Sequence, residues 1–544
     1  MSDAQPEPAP QAPLLSVHGL TVGLPSDGDR PQAVTDISFD IAPGETLCMV
    51  GESGSGKSVI GQAILGMLPS ALPVLSGTIA LNGDVMPPQR DMRFDAIRST
   101  EIAMIFQDAG ASLNPVRTIG GQLAEVLAVH GVPKAERRPR VLEVLRDVAL
   151  PDPARIARSY PHQLSGGQAQ RAVIAAALLL EPKLLIADEP TTALDVTTQA
   201  EILALIARLK AEHGLAVLFI THDFGVVAEI ADRVAVMKEG VQVETGPTDE
   251  VLARPRHAYT RKLIAAITPE ARRPGTTAPA PILEARGLNL TYRSGLFGGK
   301  KSVQAVKDVS LEIGKGQTIA VVGESGSGKS SLARCLLRLE EIDSGTIRFR
   351  GDEISTLQGQ PLRKLRQSMQ VVLQDPFSAL NPRQTILSAI AEGPIIHGMP
   401  RAEAHRKAGE MIELVGLSPQ AAGRYPQEFS GGQRQRICIA RALALEPEVL
   451  IADEAVSALD VSIQAQILDL FADMQQRFGF AILFITHDLS VARAIADEIL
   501  VMRDGEIVER GATARIFDAP AHPYTAHLLA AAPGLEMFQP ESAA

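Results

Sequence analysis

Three short runs in the first half of the chain are apolar almost throughout: TLCMV (46–50), KLLIAD (183–188) and LAVLFIT (215–221). Unbroken apolarity over five to seven residues, without polar alternation, predicts strands buried on both faces, as in a parallel sheet covered by helices. Between them the apolar positions recur at helical spacing. QAEILALIARLKAEHG (199–214) is the clearest case, and its closing Gly214 suits a helix C-cap. The second half answers with TIAVV (318–322), EVLIAD (448–453) and FAILFIT (480–486). The expected fold class is α/β, in two copies.

The repeat is literal in places. GESGSGKS stands at residues 51–58 and again at 323–330, 272 residues apart. SGGQ (165–168 and 430–433), IADE (186–189 and 451–454) and ITHD (220–223 and 485–488) recur at an offset of 265. A period of that length is too long for a solenoid unit and suits a whole domain. The expected organisation is a disordered Pro/Ala-rich leader (1–13), a first domain (14–268), a linker (269–282) and a second domain (283–544). The linker, PEARRPGTTAPAPI, carries no apolar period. Its stretched reach of roughly 45–50 Å is enough to join two side-by-side domains.

Composition narrows the function. With 45% apolar and 21% charged residues, the chain has ordinary globular material for two cores. A net charge of −11 argues against broad electrostatic binding to nucleic acid or to an anionic membrane surface. The best apolar run, AVIAAALLL (172–180), ends at Glu181 and Pro182, so no membrane-spanning helix is expected, and the N-terminus lacks the regions of a signal peptide. Cys48, Cys335 and Cys438 have no metal or redox spacing and read as small buried hydrophobes in a reducing compartment. The expected location is the cytoplasm.

A strand, then Gly51-x-x-x-x-Gly56-Lys57-Ser58, then a helix is the order of a phosphate-binding P-loop. Glycines let the backbone N–H groups turn inward, and the helix N-terminus adds partial positive charge. Lys57 is placed to reach the β- and γ-phosphates, and the Ser58 hydroxyl to bind Mg²⁺. Lys329 and Ser330 repeat the arrangement. Asp188 and Asp453 close apolar strands, where a carboxylate can hold Mg²⁺ through its water shell. Glu189 and Glu454, the next residues, are candidate general bases for an attacking water. The chemistry predicts two nucleotide sites.

At LSGGQ (164–168) and FSGGQ (429–433) the sequence resembles the ATP-binding-cassette (ABC) family over nearly its whole length. The resemblance implies two tandem P-loop NTPase domains, each with a mainly parallel-sheet core, an antiparallel β subdomain and a helical subdomain bearing the signature. It also implies crossed sites. Gly51, Glu52, Ser53, Gly54, Ser55, Gly56, Lys57 and Ser58 would face Ser430, Gly431, Gly432 and Gln433. Gly323, Glu324, Ser325, Gly326, Ser327, Gly328, Lys329 and Ser330 would face Ser165, Gly166, Gly167 and Gln168. Gln107 and Gln374 look like the family glutamine that touches Mg²⁺ and water. Ala193-Leu194-Asp195 and Ala458-Leu459-Asp460 resemble the D-loops, and His222 and His487 match the switch histidine at the γ-phosphate. Tyr292 corresponds to the adenine-stacking aromatic, but the first half offers Leu24 there. That loss of stacking, ~0.5–1.5 kcal/mol, predicts weaker nucleotide binding at site one. Ala169 stands opposite Arg434, and Pro190 opposite Ala455, away from the reacting atoms.

QDAGASLNP (107–115), QDPFSALNP (374–382) and the closing segments RHAYTRKLIAAI (256–267) and AHPYTAHLLAAA (521–532) resemble the oligopeptide/dipeptide branch of importers. The implied partners are two integral-membrane permease subunits and, indirectly, an extracytoplasmic solute-binding protein. No nucleic-acid partner is expected. The two halves would pair with each other at the cytoplasmic face of the inner membrane. A soluble tandem-cassette ATPase of the ribosome is the alternative, disfavoured by the short linker and acidic charge.

Overall fold

The computed structural model describes residues 12–25, 30–191, 194–267, 280–294, 301–457 and 459–534. Most of the expected leader (1–11) and of the expected linker (269–279) lies outside them, while Pro281 and Ile282 already belong to a strand, Pro281–Ser294. The chain divides into two compact units, residues 1–194 with 198–265, and residues 266–544 with 195–197.

Both units follow one plan among the described residues. In the first, a six-stranded sheet runs in the order Val241–Pro247, Arg233–Lys238, Thr46–Val50, Ala216–Thr221, Leu184–Asp188, Ile102–Ile105. All neighbours in it are parallel except the first pair. In the second, the order is Met369–Val372, Val449–Asp453, Ala481–Ile485, Thr318–Val322, Glu498–Arg503, Glu506–Ala512, again parallel up to the last strand. The apolar runs therefore form the central strands, as their lack of alternation predicts. In the second unit Val449 and Ile451 pack into one apolar cluster, Leu450 and Ala452 into another on the opposite face. Period-two side chains with apolar matter on both sides leave no room for polar alternation.

Each unit also carries a four-stranded antiparallel sheet. Its strands in the second unit are Lys301–Gly314, Pro281–Ser294, Ser344–Phe349 and Asp352–Glu353. Its apolar side shares a cluster with Ile319, Val321 and Leu332 of the parallel core. In sequence, a helical region separates two neighbouring core strands: Ile119–Val129, Lys134–Asp147 and Gly166–Leu178 in the first unit, and Ile386–Ile396, Arg401–Leu414 and Gly431–Leu443 in the second. The helix expected over 199–214 spans Val196–His213, and Gly214 takes φ 62°, the left-handed conformation of a C-cap. All three cysteines are buried, and burial pushes the Cys335 and Cys438 thiols up to about 11.

Candidate active site

The P-loops leave the central strands Thr46–Val50 and Thr318–Val322 and open the helices Lys57–Ile64 and Lys329–Leu336. Gly56 and Gly328 hold the N-cap with φ 99° and 104°, and a Cβ there would lie 2.9 and 2.2 Å from the carbonyl oxygens of Ala33 and Ala305. Only glycine fits both the turn and the close approach. Lys57 Nζ donates to the carbonyls of Gly51 (2.6 Å) and Glu52 (2.9 Å); Lys329 Nζ does the same with Gly323 (2.7 Å) and Glu324 (2.8 Å). Each loop thus holds its own lysine, and burial lowers the Lys329 pKa against the pull of nearby carboxylates.

The serine after each lysine meets the strand-end aspartate. Ser58 Oγ donates to Asp188 Oδ1 at 2.9 Å, and Ser330 Oγ to Asp453 Oδ1 at 3.0 Å. Burial raises both aspartate pKa values, opposed by these hydrogen bonds. A hydroxyl and a partly desolvated carboxylate side by side form a hard-oxygen donor set, the chemistry that suits Mg²⁺. Among the described residues no group of three or more His, Cys, Asp or Glu could hold a metal ion.

One residue on, the backbone turns sharply. Glu189 and Glu454 take φ 47° and 50°, with their N–H groups bonded to the Ile220 and Ile485 carbonyls of the next strand at 2.9 Å. This left-handed kink aims consecutive acids at different targets, at a local conformational cost of about 1–3 kcal/mol. Each glutamate is gripped from two sides. Gln107 Nε2 donates to Glu189 Oε2 (2.9 Å) and Gln374 Nε2 to Glu454 Oε2 (2.7 Å). His222 and His487 place Nδ1 3.3 and 3.6 Å from the other oxygen. His487 holds Glu454 below the usual carboxylate range. Burial would push His487 down, but its bond to Glu454 and the carboxylate charges hold it above its ordinary value. The structure brings glutamine, glutamate and histidine together in both units.

The signature segments cap their own helices. Ser165 Oγ accepts from the Gln168 N–H while Gln168 Oε1 accepts from the Ser165 N–H; Ser430 and Gln433 repeat this reciprocal capping box. Serine and glutamine three apart before a helix are themselves the sequence signal for it. A Cβ on Gly167 or Gly432 would lie 2.6 or 2.4 Å from Thr198 or Ile463, so the second glycine lets the following helix pack close, while Ser165, Gly166 and Ser430 stay exposed. Asp460 is the N-cap of Val461–Phe478 and Asp195 precedes Val196–His213; Ala193 and Ala458 lie outside the described residues.

Strand register shows that Leu24 and Tyr292 hold corresponding positions in the two units. Leu20 pairs with Ile37 and Val22 with Val34, as Leu288 pairs with Val309 and Leu290 with Val306. Two residues further along each strand path come Leu24 and Tyr292, both half-buried against the cluster beneath.

A P-loop, its carboxylates and a capped signature helix, present in each unit, define a nucleoside-triphosphatase of the cassette type. The ABC transporter profile matches residues 34–192 and 306–457, more than half of the chain, and the protein belongs to that family. The profile of the oligopeptide/dipeptide transporter C-terminal region matches 243–285 and 508–540. The glutathione import ATP-binding protein GsiA of Salmonella typhimurium is 45% identical over 96% of this chain and 89% of its own length. The peptidoglycan transport ATP-binding protein YejF of Agrobacterium fabrum is 46% identical over 97% and 98%. The chain is an ABC transporter ATPase, a membrane-associated subunit that works with permease subunits. No helix among the described residues is long and apolar enough to cross a membrane.

Proposed function

We propose that this chain energises the import of peptides or peptide-like solutes, with two permease subunits at the cytoplasmic face and a solute-binding protein on the other side. The C-terminal oligopeptide/dipeptide region following each cassette is the observation that carries this reading, and it disfavours the ribosomal alternative. The names of the relatives, which concern glutathione and peptidoglycan, favour small peptide cargo.

ATP is the substrate of each P-loop, and Mg²⁺ would be held by Ser58 and Asp188 or by Ser330 and Asp453, with Gln107 and Gln374 beside it, supplying charge neutralisation at the phosphates. Glu189 and Glu454 act as bases toward water. Glu454 is a poor base while His487 and Gln374 occupy both its oxygens. A γ-phosphate that competes for His487 frees the carboxylate, so hydrolysis waits for substrate. The exposed signature helix N-termini, Ser165–Gln168 and Ser430–Gln433, would meet the phosphates bound by the opposite unit.

Two measurements test the reading. Purification of the chain with its genomic neighbours should recover permease subunits; recovery of ribosomes instead would overturn it. Ser430→Arg should impair nucleotide trapping at the Lys57 P-loop and spare the Lys329 P-loop. Impairment confined to the Lys329 loop would refute the crossed arrangement.

A further inference from the structure

The closing helix of each unit reaches back to its P-loop. In the first unit the hydroxyl of Tyr259, on the helix Ala258–Ile267, accepts the backbone N–H of Glu52 at 3.4 Å. In the second, Tyr524 on Pro523–Ala530 accepts the N–H of Glu324 at 3.2 Å. These contacts span 207 and 200 residues of sequence. Both tyrosines are buried, 8% and 5% exposed, so their hydroxyls need partners inside the fold.

The approach is itself braced, in the same way twice. Glu244 accepts the N–H groups of Arg256 (2.7 Å) and His257 (3.1 Å), and Glu509 those of Ala521 (2.8 Å) and His522 (3.0 Å). Nδ1 of His257 and of His522 then accepts the N–H of the tyrosine two residues on, at 3.2 and 3.1 Å. A cation covers each ring: Lys238 at 5.3 Å from the Tyr259 centroid, Arg503 at 4.8 Å from that of Tyr524. Strand, turn and helix are locked together before the hydroxyl touches the loop.

What the hydroxyl touches decides its consequence. Glu52 and Glu324 give their carbonyls to Lys57 and Lys329 and their N–H groups to the tyrosines. One peptide residue is thus held by the phosphate-binding lysine on one side and by the C-terminal region on the other. We propose that Tyr259 and Tyr524 are positioning residues of the nucleotide sites, through which the C-terminal region of each unit holds the first turn of its P-loop in the phosphate-ready conformation. The tyrosines act by pre-organisation, so that binding does not bear the cost of ordering the loop.

The inference rests on nucleotide binding at these P-loops. The test uses the full chain, ADP titration by calorimetry, and hydrogen exchange of the peptides containing Glu52 and Glu324. The double variant Tyr259→Phe/Tyr524→Phe keeps both rings and both cation contacts and removes only the hydroxyls. It should weaken ADP binding about threefold to tenfold, the scale of one net hydrogen bond. Exchange at both P-loop peptides should quicken in the nucleotide-free protein. Unchanged ADP affinity would overturn the proposal and leave the tyrosines as packing residues of the closing helix, and so would weakened affinity with unchanged exchange. Lys57→Ala/Lys329→Ala separates the two levels: it should abolish ADP binding, and retained binding would overturn the site assignment itself.

Discussion

Replacing Arg434 by alanine tests whether the two units hold their glutamine segments equally. Arg434 is buried, and its Nε donates to the Pro426 carbonyl at 2.7 Å and its Nη2 to that of Gln427 at 3.3 Å. Its guanidinium carbon lies 3.8 Å from the ring centroid of Phe377, three residues beyond Gln374. One side chain therefore ties the segment before the signature to the segment after the glutamine. The first unit has neither half of the ring contact, since Ala169 stands in place of Arg434 and Gly110 in place of Phe377. A hydrogen bond from a charged donor to a buried carbonyl contributes about 1.5–3 kcal/mol. Phe377 is 62% exposed, so the ring contact belongs at the low end, about 0.5–1 kcal/mol. Counting the short 2.7 Å bond and the ring, and nothing for the long 3.3 Å one, the loss on Arg434→Ala is about 2–4 kcal/mol of local stability, or a drop in hydrogen-exchange protection of roughly 30-fold to 1,000-fold. The assay is native-state exchange of the full chain, read at peptides 374–382 and 424–436, with 107–115 as the internal control. Arg434→Lys should fall between, because a point charge cannot bridge both carbonyls and stack. A change below about threefold at 374–382, or an equal change at 107–115, refutes the reasoning.

Three further outcomes follow from the same geometry. Glu189→Gln and Glu454→Gln should each cut ATP turnover at least tenfold, since a positioned base supplies about 10²–10⁴; near-normal turnover in both would exclude them as bases. The His487–Glu454 pair should stabilise the nucleotide-free second unit fully between the ordinary values of 4.5 and 6.5. That stability fades as pH rises through the raised pKa of His487 and as it falls through the lowered pKa of Glu454. Melting curves of the wild type and His487→Gln should differ most in this window and converge at both ends; a gap widening with alkalinity would contradict the pairing. Leu24→Tyr should tighten adenine nucleotide binding at the first P-loop by about 0.5–1.5 kcal/mol, or roughly twofold to twelvefold. Binding assays in a Lys329→Ala background would show it, and an unchanged affinity would remove Leu24 from the adenine side.

The parts legible in the sequence are those whose physics is local or literal. Apolar runs such as TIAVV had to be strands covered on both faces, and the spacing of Gly51, Gly56 and Lys57 had to be a phosphate loop, because each signal lies within eight residues. The parts that escaped need distant partners. Nothing near Tyr524 points to Glu324, and the loss of an arginine at Ala169 acquires meaning only once Phe377 is seen over Arg434 while Gly110 has no ring to offer. Gln168 and Gln433 escaped for another reason: a motif with an assigned role hid the capping box that the same letters spell. These omissions change how inequality between the halves is read. From motifs alone the units differ at the adenine, by Leu24 against Tyr292. In the structure they also differ where the glutamine segment meets the signature helix, a contact made of two residues in one unit and absent as a pair from the other. Since Gln107 and Gln374 both hold the glutamate that would activate water, a looser segment in the first unit implies a less firmly held Glu189. By this reasoning the two units should differ in nucleotide affinity and in the timing of hydrolysis, while both P-loops keep the same lysine and serine contacts.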